Sequence, residues 1–177
     1  MKTQNFIKLN NIISNFKNAN VLVIGDIILD EFIWGDVSRI SPEAPVPVVW
    51  VKRESFMPGG ASNVANNLRS LGAHTYLAGV IGDDERGVIL KGELEQKGID
   101  TSGIMIDESR PTTLKTRVVA QHQQVVRIDK EKIDALSDAL ISRIINCARE
   151  LIDKIDAIII EDYGKGVITP KLLKHIV

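Results

Sequence analysis

Residues 58–67 combine residue types that bind small polar molecules, because two adjacent glycines run into small side chains and an asparagine. Gly59 and Gly60 have no Cβ, so they can take positive φ angles and let a ligand approach the backbone. The apolar spacing that starts at Ala61 predicts a helix, whose first N–H groups are free to bind hydroxyls or anions. The amide of Asn63 both donates and accepts hydrogen bonds. We predict that these four residues bind a small polar ligand; the alternative is an ordinary turn before a helix.

Two carboxylates follow the apolar run 21–24, which is typical of a parallel strand buried on both faces. Ligands of open α/β sheets bind beyond the carboxyl ends of such strands, which is where Asp26 and Asp30 lie. An ionised carboxylate only accepts hydrogen bonds, which suits it to a pair of sugar hydroxyls. We predict that both residues bind the ligand; the alternative is that they cap local backbone groups in a loop.

Four cationic side chains lie in two segments rich in β-branched residues. Lys115 and Arg117 alternate on one face of a predicted strand, Arg127 lies on the returning strand, and Arg39 lies in the earlier segment. A guanidinium can hold a phosphate through two parallel hydrogen bonds. We predict that at least one of the four binds a phosphate on the ligand. The alternative is a solvated strand face, on which charges often alternate.

A further polar cluster follows the apolar run 157–160 and includes Asp162, Tyr163 and Lys165 between glycines. At the end of a strand, Asp162 and Lys165 are candidate contacts to substrate, to Mg²⁺ or to a nucleotide phosphate; the alternative is a glycine-rich turn. The three histidines are scattered and the single cysteine is Cys147, so no transition-metal site is predicted. The sequence has no Walker loop and lacks the full glycine set of a dinucleotide-binding turn.

Apolar runs and helical spacings alternate along the chain, which predicts an α/β fold with a parallel sheet flanked by helices. The predicted helices cover 4–16, 61–71, 84–97, 134–153 and a segment from residue 170; the predicted strands cover 21–24, 75–81, 103–106 and 157–160. Two segments interrupt this alternation, at about 30–53 and 112–129. Both are typical of hairpins, and we expect them to form a small second sheet that covers the ligand as a lid.

Composition is that of a soluble globular domain: 44% of the 177 residues are hydrophobic, 25% are charged and the net charge is −1. No charge excess points to nucleic acid or to an anionic membrane. Cys147 lies in a helical apolar pattern, so we expect a structural thiol. No apolar run reaches membrane-spanning length and no signal-peptide pattern is present, so we expect a cytoplasmic protein.

The glycine motif continues at a fixed spacing through Ala65, Gly72 and Gly82. This pattern resembles the first signature of the ribokinase-like (PfkB) carbohydrate kinases, in which the Gly-Gly pair and the Asn bind the acceptor sugar. The resemblance implies a ribokinase-like fold, a β-sheet lid that also forms a homodimer contact, and a sugar substrate.

Within that family the chain is similar to the heptose-7-phosphate kinases that form one half of bifunctional kinase/adenylyltransferases. The matching segments cover 23–30, 38–49, 58–63, 115–119, 123–129 and 162–166. The run 38–47 is the most distinctive of them. The resemblance implies phosphorylation of the anomeric hydroxyl of D-glycero-D-manno-heptose 7-phosphate, with ATP and Mg²⁺, for ADP-heptose and the lipopolysaccharide core.

The sequence departs from the family at its C-terminal side. The Gly-Ala-Gly-Asp segment with the catalytic base, the Asn-x-x-Glu motif and most of the nucleotide pocket are not found. The helical pattern that begins at Pro170 is cut off at Val177, so we expect a fragment that holds the acceptor side of the site and is inactive alone. Two alternatives stay open: a ribokinase-like enzyme for another sugar, and a non-catalytic module for sugar-phosphate binding or dimerisation.

Overall fold

A computed structural model describes residues 2–176, with side chains from residue 9 onward. In chain order the elements are α1 (Lys2–Asn15), β1 (Asn20–Gly25), β2 (Ile27–Ile40), β3 (Pro47–Gly60), α2 (Ala61–Ser70), β4 (His74–Ile81), α3 (Glu85–Gln96), β5 (Asp100–Ile106), β6 (Thr113–Ala120), β7 (Gln123–Lys130), α4 (Asp138–Leu151), β8 (Ala157–Glu161) and α5 (Pro170–Ile176).

The first sheet is parallel, with strand order β5-β4-β1-β8, and confirms the α/β prediction. Side chains alternate between the two faces of a strand. Leu22 and Ile24 of β1 therefore pack with Ile144 of α4 on one face. Val23 packs on the other face with Leu90 of α3 and with the small residues of α2. The two faces are buried by different helices, which explains why β1 is almost wholly apolar.

The second sheet has the order β3-β2-β6-β7 and contains the two predicted hairpins. Within each hairpin the strands are antiparallel, and the hairpins join through parallel pairing of β2 with β6. We call this sheet the lid sheet. Its first hairpin is longer than predicted, because β2 begins at Ile27 and β3 runs through Gly60. The two glycines therefore lie at the end of a strand rather than in an ordinary turn: Gly59 pairs with Ile28 and Gly60 pairs with Ile27.

Helix α4 begins four residues later than its predicted start at residue 134. The hydroxyl of Ser137 accepts a hydrogen bond from the backbone N–H of Leu140 at 3.4 Å and caps the helix. Residues before Ser137 pack instead against the loop that follows β8, where the N–H of Leu136 donates to the carbonyl of Gly166 at 3.1 Å. Tertiary contact therefore overrides the helical spacing in this segment.

Asp84 fixes the start of β6 relative to α3. Its carboxylate accepts hydrogen bonds from the N–H of Gly87, which caps α3, and from the N–H of Thr112, both at 2.9 Å. Burial of the Asp84 carboxyl tends to raise its pKa, but the hydrogen bonds from Thr112 and Gly87 favour the ionised form, so the net effect lowers its pKa. The charged carboxylate thus anchors the strand that carries Lys115 and Arg117.

Cys147 is half-buried on α4 and packs against the cluster that includes Leu22 and Ile24. Burial raises the pKa of its thiol, and nearby Glu150 and Asp100 raise it further, which agrees with the predicted structural role. At the other end of the described chain, Thr169 caps α5 through a hydrogen bond from the N–H of Leu172 at 3.2 Å. The expected continuation of this helix past Val177 lies outside the described residues.

Candidate functional site

Asp26 lies where the chain leaves the first sheet and enters the lid sheet. Its side chain is 1% exposed and accepts three backbone hydrogen bonds: from Tyr163 at 2.8 Å, from Lys165 at 3.0 Å and from Val167 at 3.2 Å. Its own carbonyl accepts from the N–H of Ala61 at 2.9 Å, at the start of α2. Asp26 thus joins the first turn of α2 to the loop after β8.

These three bonds use most of the acceptor capacity of the Asp26 carboxylate, which has about four lone-pair sites. A contact between Asp26 and a sugar hydroxyl, which the sequence predicts, would compete with them in a buried location. The structure therefore favours Asp30 as the carboxylate that faces a ligand, with Asp26 holding the surrounding backbone in place.

The glycine pair forms a narrow junction between β3 and α2. Gly60 has φ 54° and ψ −137°, a backbone conformation that favours glycine. The hydroxyl of Ser62 donates to the carbonyls of Gly59 and Ile28, at 2.6 and 3.0 Å, and fixes this junction. Asn63 is exposed in the first turn of α2, where backbone N–H groups have no partner within the helix. The junction can therefore present an amide and backbone donors to a ligand.

Asp30 and Gly59 are in direct contact. A Cβ added to Gly59 would lie 2.5 Å from Oδ2 of Asp30 and 3.0 Å from its Cγ, so a larger residue would displace this carboxylate from its observed position. The other oxygen, Oδ1, lies 2.5 Å from Nη1 of Arg117, whose guanidinium also stacks over the ring of Phe32 with its Cζ at 5.4 Å. The predicted acid and one predicted cation thus form an ion pair beside the glycine junction.

Pairing of β2 with β6 brings Lys115 to the same face as Asp30, because these two residues are register partners. The Lys115 ammonium lies 5.9 Å from the centroid of the Tyr163 ring, which belongs to the loop after β8. In this loop Asp162 accepts a hydrogen bond from the N–H of Gly164 at 2.8 Å, and Lys165 forms an ion pair with Glu131. The site therefore unites the glycine junction, the base of the lid sheet and the β8 loop.

The other two predicted cations do not join this site: Arg127 is paired with an aspartate, and Arg39 is too distant. Arg127 is a register partner of Arg117 on β7, but its guanidinium binds both carboxylate oxygens of Asp129, at 2.9 and 3.1 Å. Arg39 lies nine residues beyond Asp30 on the same strand, which corresponds to roughly 30 Å. A shared contact of Arg39 and Asp30 with one small ligand of the same subunit is therefore excluded by distance.

The sequence analysis missed two glutamates near the site, of which Glu31 is buried and Glu131 is partly buried. Glu31 binds the Arg86 guanidinium at 2.8 Å and the Thr116 hydroxyl at 2.5 Å, which ties β2 to α3 and β6. Glu131 binds Lys165. Neither position has a spacing signal, since Glu31 sits among alternating strand residues and Glu131 lies in an irregular segment.

Among residues 2–176, no group of three or more His, Cys, Asp or Glu side chains converges in a way that could hold a metal ion. Over the same residues, no helix combines the length and apolar character that a membrane span requires.

Comparison with known proteins gives a consistent family. Residues 18–175 match the pfkB family carbohydrate kinases. The chain is 52% identical over 157 residues to a bifunctional protein HldE of Helicobacter pylori, covering 89% of this chain and 34% of that protein. It is 44% identical over 176 residues to a bifunctional protein HldE of Desulfatibacillum aliphaticivorans, covering 99% of this chain and 36% of that relative. The chain thus spans about a third of the length of these relatives.

Solved structures with the same fold are sugar kinases. A microbiome-derived acarbose kinase aligns with a TM-score of 0.60 at 23% identity, covering 80% of this chain and 45% of that one. A sugar kinase of Pyrococcus horikoshii, solved in complex with ATP, aligns with a TM-score of 0.55 at 19% identity, covering 79% and 42%. At these identities the likeness shows the fold, which is the ribokinase-like fold that the sequence predicts.

Proposed function

The chain belongs to the pfkB family of carbohydrate kinases, and from that premise we propose that it holds the acceptor sugar of a heptose-7-phosphate kinase. The reaction is transfer of a phosphoryl group from ATP to the anomeric hydroxyl of D-glycero-D-manno-heptose 7-phosphate, which gives heptose 1,7-bisphosphate. This product would serve ADP-heptose synthesis for the lipopolysaccharide core, in the cytoplasm. The two relatives named bifunctional HldE and the sequence resemblance to the heptose-7-phosphate kinases support this substrate.

The proposal is supported mainly by the contacts of Asp30 with Gly59, just before α2, and with Arg117 on β6. Asp30 and Asn63 supply acceptors and donors for sugar hydroxyls, while Gly59, Gly60 and Ala61 let the sugar approach the backbone. Lys115 and Arg117 both lie on β6, which pairs with the part of β2 that contains Asp30. A phosphate at the far end of the heptose would contact these two cations. Hydroxyl and phosphate recognition are thus combined in one site.

We assign no catalytic base to this chain and propose that the base, with most of the ATP and Mg²⁺ site, lies in the part of the relatives that this chain does not span. Phosphoryl transfer depends on positioning and on neutralising charge. The described residues contribute the positioning of the acceptor, and the lid sheet excludes water from it. We expect the 177-residue chain alone to bind sugar phosphate without turnover.

A substrate panel tests the function directly. The protein in its complete natural form is assayed with ATP and either heptose 7-phosphate, fructose 6-phosphate or ribose, and kcat/KM is compared. The proposal predicts the highest value for heptose 7-phosphate. Preference for ribose or fructose 6-phosphate would identify a ribokinase-like enzyme for another sugar. Binding of heptose 7-phosphate without turnover of any of the three would favour the non-catalytic module.

Lys115→Gln is expected to lower kcat/KM for heptose 7-phosphate by about 10- to 100-fold, as loss of one charge-assisted contact costs about 1.5–3 kcal/mol. It should leave turnover of an unphosphorylated sugar nearly unchanged. Lys52→Gln is the matched control, because Lys52 is also a lid lysine beside an aromatic ring, 5.6 Å from Trp50, but lies on exposed β3. Equal losses for both sugars would show that Lys115 does not bind the phosphate.

We also propose that the lid sheet forms the homodimer contact. Its distal part carries an apolar groove of about 530 Å³, lined by Ile33, Val46, Pro47, Val49, Val51, Val118, Val125 and Val126. A second copy of this sheet would cover these side chains, whose exposure to water is unfavourable. Val126→Glu is expected to weaken the dimer at least about tenfold in sedimentation equilibrium, because it buries a charge. Val88→Glu, at an exposed position of α3, serves as the control. An unchanged mass for Val126→Glu contradicts the proposal.

A further inference from the structure

A largely buried ion pair connects the end of the lid sheet to the loop after β8. The Lys165 ammonium lies 2.7 Å from Oε1 of Glu131, and the two side chains are 16% and 21% exposed. Glu131 directly follows β7, the last lid strand, whereas Lys165 lies in the loop whose backbone Asp26 binds. The pair therefore bridges the lid sheet and the core of the molecule.

The backbone of Lys165 is fixed on both sides of the residue. Its N–H donates to Asp26 at 3.0 Å, and its carbonyl accepts from Nη1 of Arg110 at 3.2 Å. Arg110 is held in turn by the Asp107 carboxylate at 2.8 Å and by the carbonyl of Asp134 at 3.1 Å. With the backbone held in this way, the contact with Glu131 determines where the ammonium points.

One carboxylate oxygen of Glu131 lacks a hydrogen-bond partner, which is energetically unfavourable for a residue with only a structural role. Its second oxygen, Oε2, is buried without a hydrogen-bond partner among the residues that the structure describes. A buried acceptor in that state costs about 1–3 kcal/mol. The Lys165 ammonium, by contrast, has three donors and uses one on Oε1, so two remain for another anion.

Lys165 also lies close to the start of the lid sheet. Together with Asp26, Ile27 and Thr113 it lines a cavity of about 10 Å³, too small for more than about one water molecule. Thr113 begins β6, the strand that carries Lys115 and Arg117. Lys165 therefore borders the start of β6 and lies two residues from Tyr163, whose ring centroid is 5.9 Å from the Lys115 ammonium.

We propose that Glu131 is a positioning residue, which orients Lys165 so that its two remaining N–H donors bind a phosphate group of a substrate. The inference rests on the proposed kinase function. Glu131 does not itself touch the substrate; it holds the ammonium in place within a partly desolvated site. The phosphate is that of the acceptor sugar or of the nucleotide, which share the same chemistry of recognition.

A double-mutant cycle tests this role through kcat/KM of the complete protein. Residues that act as a unit give non-additive losses. Lys165→Met is expected to lower kcat/KM about 100-fold and Glu131→Gln about 10-fold, while the double variant is no worse than Lys165→Met alone. A rise in KM for heptose 7-phosphate would place the contact on the sugar phosphate, and a rise in KM for ATP would place it on the nucleotide. If the two single-variant losses of kcat/KM multiply, to a loss near 1000-fold in the double variant, the inference is wrong.

Asp138→Asn provides the matched control, because Asp138 pairs with Lys171 at 2.8 Å on the exposed surface and should leave kcat/KM unchanged. The cycle is also measured by calorimetry as affinity for heptose 7-phosphate and for ATP, which needs no turnover. Affinity for both ligands that is unaltered by Lys165→Met and by Glu131→Gln overturns the inference even when kinase activity is confirmed. Failure of the wild-type protein in the substrate panel, by contrast, counts against the proposed function.

Discussion

Gly59→Ala is expected to lower kcat/KM for heptose 7-phosphate by about 100-fold, because it displaces Asp30 and removes charge-assisted bonds worth about 1.5–3 kcal/mol each. The new Cβ would meet Oδ2 of Asp30 at 2.5 Å and its Cγ at 3.0 Å. A carboxylate at the end of a side chain can rotate away, which breaks its geometry with Arg117 rather than the fold. The free energy of unfolding should therefore change by no more than about 1 kcal/mol, which urea denaturation measures alongside the kinetics.

Gly92→Ala is the matched control for this substitution. Gly92 lies inside α3, and a Cβ there would meet nothing within 4 Å. Alanine in a helix is favoured over glycine by about 0.5–1 kcal/mol, so this variant should be slightly more stable and fully active. A Gly59→Ala enzyme with the activity of the Gly92→Ala enzyme would mean that Asp30 does not bind the acceptor.

Asp26→Asn is expected to lower the free energy of unfolding by about 3 kcal/mol and to abolish activity, since each buried group left unsatisfied costs about 1–3 kcal/mol. The carboxylate accepts from three backbone N–H groups, and an amide would direct its own NH₂ at one or more of these donors. The loop that carries Tyr163 and Lys165 would lose its anchor. Urea unfolding measures the first effect, and steady-state kinetics with heptose 7-phosphate measures the second.

Asp162→Asn tests whether the effect is specific to the buried carboxylate. Asp162 lies in the same loop but is exposed, and its one hydrogen bond, from the N–H of Gly164, can also be made by an asparagine oxygen. This variant should unfold within about 0.5 kcal/mol of the wild type. Equal destabilisation by the two substitutions would show that Asp26 has no special anchoring role.

The local features of this fold could be predicted from the sequence because each has a characteristic composition or spacing of residues. The apolar run that became β1 has the composition of a parallel strand buried on both faces, and the structure confirms it. The β-branched hairpins were also predicted, since their composition differs from the helical segments around them. Their lengths were not predicted, because antiparallel pairing extends β3 through Gly60, beyond the predicted end of the hairpin near residue 53.

The partnerships within the site could not be predicted, because they join residues that are far apart in sequence. Arg117 meets Asp30 across 87 residues, through the register of β2 and β6. Asp26 was predicted as a sugar ligand from its place at a strand end, yet its carboxylate binds backbone groups more than 130 residues away. Whether a carboxylate binds a ligand or the backbone depends on its burial and its hydrogen-bond partners. Neither of these can be deduced from residue type or spacing alone.

A crystal structure of the protein with heptose 7-phosphate would show whether the acceptor sugar binds at the glycine junction. We expect sugar hydroxyls within hydrogen-bond distance of Asp30 and Asn63, the sugar ring against Gly59 and Gly60, and the 7-phosphate beside Lys115 or Arg117. A sugar phosphate bound elsewhere, with the Asp30–Arg117 pair intact and the glycine junction empty, would contradict it.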